Sequence, residues 1–156
     1  MAKQNSKKIL IVCSGNSCRS IMAEAYLKKR AKEERLSLKI ESAGTLGIEG
    51  MPPMNETYKV LAMENIDSKG LISRGLTKEL IGWADIILVM ERMHKDRIAA
   101  MAPSAMDKVL FLKEFDDAGG DVTIPDPIGK PLSFYKASFD IIKRSIEGFI
   151  AHLKKE

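Results

Sequence analysis

Short apolar runs alternate along this chain with stretches of helical periodicity, and that alternation restricts the fold more than any other feature. Residues 8–12, 86–90 and 109–112 are runs too short for a helix and apolar enough to be buried on both faces. Residues 38–42 form a fourth strand pattern. Buried parallel strands look like this. Between and after them lie helical patterns over 20–35, 54–65, 91–102 and 133–154, with a short helix capped by Thr77 and ending near Gly82. Strands that alternate with helices pair in parallel, because each crossover must carry the chain back over the sheet. The expectation is a single α/β domain over residues 1–156: a four-stranded parallel sheet with helices on both faces. Ligands in such sheets bind at the carboxyl ends of strands.

The first of those ends carries unusual chemistry. The strand 8–12 runs into Cys13-Ser14-Gly15-Asn16-Ser17-Cys18-Arg19-Ser20, and a helix begins directly after. A loop between a strand and a helix N-terminus aims backbone N–H groups and the positive helix end at one point, which makes an anion site. With five residues between Cys13 and Arg19, the loop over Ser14, Gly15, Asn16, Ser17 and Cys18 can wrap one tetrahedral anion. Arg19 adds a planar fork able to hold two oxygens. Gly15 permits a turn with positive φ, and Asn16 is one of the few other residues that tolerates one. The same positive groups favour a thiolate at Cys13, at the floor of the cradle. Ser20 has two compatible roles, capping the following helix or donating a hydrogen bond to the Cys13 sulfur. Ser42 and Glu91 lie at the ends of two other strands and border the same crevice. A buried cysteine in a plain strand-to-helix turn is the competing account. The offsets of Cys, Gly, Asn, Arg and Ser together favour phosphate-ester hydrolysis.

Thiolate attack expels a leaving group that needs a proton, and a carboxylic acid is the natural source. The long segment 116–132 offers Asp116, Asp117, Asp121 and Asp126. Asp126 is preferred because Pro125 and Pro127 stiffen it, although most Asp-Pro pairs are simply turns. Cys18 is either a small buried hydrophobe or a resolving thiol that bridges to Cys13 under oxidation. His94 and His152 fall on helical patterns and read as surface or packing residues, and Trp83 and the methionines as core. Two cysteines and two scattered histidines do not make a metal set, so neither metal nor cofactor is expected. No Gly-x4-Gly-Lys motif indicates nucleotide-driven transfer. The basic start, residues 1–8, is followed by an apolar segment too short for a signal peptide. With no run long enough to cross a membrane, the expected location is the cytoplasm. A net charge of +4 mildly favours anionic substrates.

These residues resemble the low-molecular-weight protein tyrosine phosphatase family, whose signature Cys-x-Gly-Asn-x-Cys-Arg-Ser is complete over positions 13–20. The likeness extends to Met22-Ala23-Glu24, Ser42-Ala43-Gly44-Thr45, Ala84-Asp85, Met90 and Asp126-Pro127. Ile21 departs from the family's usual proline. The resemblance implies a cysteinyl-phosphate intermediate on Cys13, with Asp126 first as general acid and then as base. It implies Asn16 and Ser42 as supports of the loop, and Glu91 beside Arg19. The expected partners are a phosphorylated protein or peptide and product phosphate, with no nucleic acid or membrane, and the chain is expected to act as a monomer. Phosphotyrosine is the family's default substrate. Ser17, in place of a bulky aliphatic residue, and an aliphatic mouth at Ile48 and Ile128 resemble the bacterial protein-arginine phosphatase branch instead. So do Leu76-Thr77-Lys78-Glu79-Leu80, His94-Lys95 and Leu112-Lys113-Glu114-Phe115. Arsenate reductases share the scaffold but would need redox cysteines late in the chain, and none follows Cys18. A non-catalytic phosphate-binding module would need the cradle but neither the thiol nor Asp126.

Overall fold

In the computed structural model, which describes residues 6–156, the chain runs β1 (Lys7–Cys13), α1 (Arg19–Glu33), β2 (Leu38–Gly44), α2 (Asn55–Met63), α3 (Lys78–Trp83), β3 (Ile86–Val89), α4 (Arg92–Met101), β4 (Val109–Phe111) and α5 (Leu132–Lys154). Short 3-10 turns flank β4 at Pro103–Lys108 and Leu112–Phe115. The first five residues of the basic start lie outside the described residues.

The strands form one sheet in the order β2-β1-β3-β4, with every pairing parallel. β1 is therefore central, paired through Ile11 with Ser42 on one side and Leu88 on the other. Its residues Ile9, Leu10, Ile11 and Val12 are wholly inaccessible to solvent, which is why the sequence shows an unbroken apolar run there. Alternate residues serve opposite faces. Ile9, Ile11 and Cys13 pack with Met22 and Leu27 of α1, Leu61 of α2 and Phe139 and Ile146 of α5. Leu10 and Val12 pack with Ile81 of α3 and Ile98 of α4. The expected parallel sheet with helices on both faces is the one observed. Each fully buried aliphatic side chain in these cores contributes about 1.5–3 kcal/mol relative to exposure.

The chain passes from β1 to β2 on one side and then crosses to β3 on the other. The crevice opened at that switch lies at the carboxyl end of β1. Helix α5 closes one face with Tyr135, Phe139, Ile142, Ile146 and Phe149 inward, spaced three and four apart as an amphipathic helix requires.

Some local expectations fail. Helix α1 begins at Arg19 with Cys18 as its cap, and no side chain caps it. Ser20 is thus inside the helix and is not the N-cap, because other partners hold its hydroxyl. Thr77 does cap α3, accepting from the Leu80 N–H at 3.1 Å. Met22 and Met90 are core, but Met51, Met63 and Met93 are more than half exposed. Trp83 is half-buried.

Candidate active site

The loop after β1 is seated on the end of β2. The carbonyls of Cys13 and Ser14 accept from the N–H groups of Thr45 (2.9 Å) and Leu46 (3.0 Å). The seat requires Gly44, since a Cβ there would stand 2.5 Å from the Ser14 carbonyl oxygen and 3.0 Å from the Asn16 nitrogen. On the opposite side, the Ser17 carbonyl accepts from Thr57 Oγ1 of α2 at 2.9 Å. The positive φ of the turn falls on Asn16, at 53°. Gly15 has no left-handed φ, contrary to the expectation for it.

Asn16 is buried and uses its whole amide. Its Oδ1 accepts from the Arg74 N–H at 2.9 Å, and its Nδ2 donates to Ser20 Oγ (2.6 Å) and Ser42 Oγ (2.9 Å). Ser42 donates its own hydroxyl hydrogen bond to Glu24, a buried carboxylate whose other oxygen meets Lys28 Nζ at 2.6 Å. Since Ser20 Oγ accepts from Asn16, its hydroxyl proton remains for Cys13 Sγ, 2.9 Å away. The Asn16 N–H also lies 3.3 Å from that sulfur. The chain from Glu24 through Ser42, Asn16 and Ser20 thus ends in two hydrogen-bond donors aimed at the Cys13 sulfur.

Arg19 is 1% exposed. Its Nη1 donates to Glu91 Oε2 (2.6 Å) and to the Ile124 carbonyl (2.8 Å). Both protons of Nη1 are then occupied, and the edge made by Nε and Nη2 remains for an oxyanion. Of the four aspartates considered, only Asp126 reaches this group, with Oδ2 3.5 Å from Nη2. Ile124, fully buried, ties its segment to β3 through the Met90 carbonyl at 2.9 Å. Ser138 of α5 donates to the Pro125 carbonyl at 2.7 Å, and the Ile128 N–H donates to Asp126 Oδ1 at 3.1 Å. Two tertiary anchors just before Asp126 and one local bond just after it therefore add to the stiffness of the two prolines. Asp116 is instead buried beside Arg144, whose guanidinium holds its carboxyl below the usual carboxylate range. Asp117 and Asp121 are exposed.

Cys18 is buried beneath the loop, its sulfur 3.6 Å from Ser17 Oγ and 3.7 Å from the Tyr135 hydroxyl. Burial pushes its thiol up, which disfavours the thiolate a nucleophile needs. Both cysteines are free thiols. Ile48 and Ile128 are exposed, as are Leu46 and Met93, and Met93 Sδ lies 3.9 Å from Ser14 Oγ. His94, read from sequence as a surface or packing residue, is fully buried with Nε2 3.0 Å from Ser14 Oγ. His152 is exposed, against Phe115. Glu24, Ser138 and His94 are the site residues for which sequence reasoning assigned no role. Glu24 and His94 fall in segments that carry the family resemblance, Met22-Ala23-Glu24 and His94-Lys95, but nothing in those segments gave either a role, and nothing local marked Ser138.

Residues 8–156 match the family model "Low molecular weight phosphotyrosine protein phosphatase". The chain is 36% identical over 149 residues to the protein-arginine-phosphatase of Geobacillus stearothermophilus, covering 96% of this chain and 97% of that one. It is 32% identical over 148 residues to the low molecular weight protein-tyrosine-phosphatase Wzb of Escherichia coli K12, covering 95% and 96%. The crystal structure of the tyrosine phosphatase Wzb from Escherichia coli K30 in complex with sulphate superposes with a TM-score of 0.86 at 26% identity, covering 96% of this chain and 99% of that one.

Proposed function

Since the chain belongs to the low molecular weight phosphotyrosine protein phosphatase family, we propose that its loop binds the phosphoryl group of a phosphoprotein and that Cys13 takes that group as a cysteinyl-phosphate. One observation carries the reading. The Cys13 sulfur with its donors Ser20 and Asn16 stands at one end of the loop, and Arg19, facing the Asp126 carboxyl, stands at the other.

In the first step the Cys13 thiolate attacks phosphorus and the bond to the leaving group breaks. Asp126, entering as the acid, gives its proton to the departing atom. The Arg19 fork and the loop N–H groups hold the equatorial oxygens as charge shifts onto them. In the second step water attacks the phosphocysteine, Asp126 takes its proton, and inorganic phosphate leaves. The departing sulfur recovers its hydrogen bond from Ser20. Ser14 to Cys18 form the cradle, and Asn16, Ser42 and Glu91 keep it in shape. Two unbridged thiols suit a reducing compartment, so we place this single-domain, monomeric enzyme in the cytoplasm.

Phosphotyrosine is the first substrate reading, supported by the family and by the likeness to Wzb. Phosphoarginine is the second, on a specific observation: the mouth positions Ile48 and Ile128 are aliphatic, with the exposed aromatic Phe134 on α5 stacked under Lys130, and the identity to an arginine phosphatase is 36%. Ser17→Ile would fill space beside the cradle with methyl groups and should lower the ratio of phosphoarginine to phosphotyrosine kcat/KM. The mechanism itself is tested by rapid-quench mass spectrometry. A phosphate adduct on Cys13 is expected in wild type, and turnover surviving in Cys13→Ser refutes it.

A further inference from the structure

Two side chains at the head of α4 reach the two ends of the cradle. Glu91, the cap of α4, holds Arg19 at 2.6 Å. His94 brings Nε2 to 3.0 Å from the Ser14 hydroxyl, next to the nucleophile. The ring is fully buried and its Nδ1 has no hydrogen-bond partner. Burial, then the charge of Arg19, hold its pKa down to about 4, against smaller opposing effects of Glu91 and Asp126. These three charges face it from α1, from the head of α4 and from the 116–131 segment. The imidazole is therefore neutral at physiological pH and carries one N–H. On Nδ1 that N–H would be an orphaned buried donor, which native structures rarely tolerate. On Nε2 it donates to Ser14 Oγ.

We propose that His94 is a positioning residue: as the Nε2–H tautomer it ties Ser14, and with it the Cys13 end of the cradle, to α4, while Glu91 ties the Arg19 end. One helix then sets the separation of nucleophile and guanidinium. The proposal rests on reading the loop as a phosphate site. Loss of the tether leaves the Leu46 N–H on the Ser14 carbonyl, so the consequence is lost geometry rather than lost fold.

The experiment measures the affinity of the full chain for inorganic phosphate by calorimetry. It compares wild type with His94→Phe, Ser14→Ala, their double variant and His94→Gln, all checked by thermal melting. One uncompensated hydrogen bond should weaken phosphate binding roughly tenfold in each of the first two variants. The double variant should be no weaker than either, and His94→Gln, whose amide nitrogen can stand in for Nε2, should recover most of the loss. Nitrogen-15 shifts of wild type should report the Nε2–H tautomer from alkaline to mildly acidic pH. Additive losses, unchanged affinity in folded variants, or an Nδ1–H tautomer would overturn the proposal. Should His94→Phe fail to fold, Ser14→Ala and the tautomer decide it. Wild type that binds no phosphate would instead refute the phosphate site on which the proposal rests.

Discussion

Adding one methyl group at Gly44 tests whether the cradle is held by its seat on β2. An alanine Cβ would stand 2.5 Å from the Ser14 carbonyl oxygen, where ordinary contact begins at 3.4 Å. Relief requires the Ser14 carbonyl to retreat by about 0.9 Å, against the 3.0 Å bond that it accepts from Leu46. The neighbouring contacts at 3.0 Å are also backbone, with Asn16 and Gly15, so no flexible side-chain end can absorb the shift. Displacing a reacting group by about 1 Å costs roughly 10²-fold in rate. Gly44→Ala should therefore lower kcat/KM for p-nitrophenyl phosphate by roughly that factor. Overpacking of this kind costs about 1–3 kcal/mol, which in a domain of this size lowers Tm by about 2–12 °C. Gly82→Ala is the control. That glycine lies in α3 with nothing within 4 Å of a Cβ, and alanine there should leave activity alone and raise stability slightly. A folded Gly44→Ala with unchanged kcat/KM and phosphate affinity would refute the reasoning.

Asp126→Asn should cut turnover by roughly 10²–10⁴ on a substrate with a poor leaving group, and less on an activated aryl phosphate; equal losses measured on the two substrates would make Asp126 structural. Under peroxide, wild type should lose activity and regain it with dithiothreitol, whereas Cys18→Ser should recover less, because Cys13 then oxidises beyond sulfenic acid; full recovery removes the resolving role. Asp116 is held below its ordinary pKa by Arg144, so its stabilising effect is present above the unfolded value and lost as pH falls through the folded one. Denaturant melts of Asp116→Asn should therefore show a deficit at neutral pH that narrows below about pH 4.

The most local features of the site were the most legible in sequence. Cys13, Arg19 and the loop between them are contiguous, and an apolar strand before with a helix after leaves few ways to arrange them. Asp126 is more than a hundred residues from Cys13 along the chain; local chemistry ranks it among four aspartates only by the stiffness of its prolines, and the family resemblance of Asp126-Pro127 is what singles it out. Its placement comes from Ile124 and Ser138, which pin its segment between β3 and α5. Of the two roles open to Ser20 the cap fails and the bond to the Cys13 sulfur fits the geometry, because a hydroxyl network that local rules cannot see recruits it. Of the two residues able to take the positive φ, Gly15 and Asn16, it is Asn16 that does, and its amide there meets Arg74, Ser20 and Ser42 at once.

Periodicity and burial preference act within a turn or a strand, so the sequence alone determined the alternation of elements, the parallel sheet, the cradle and its nucleophile. Which distant groups complete the site depends on strand order and helix phase, which bring α4, the end of β2 and the 116–131 segment to the carboxyl end of β1. Only the tertiary structure could therefore place Glu24 at the root of the hydrogen-bond chain, His94 against Ser14 and Asp126 beside Arg19.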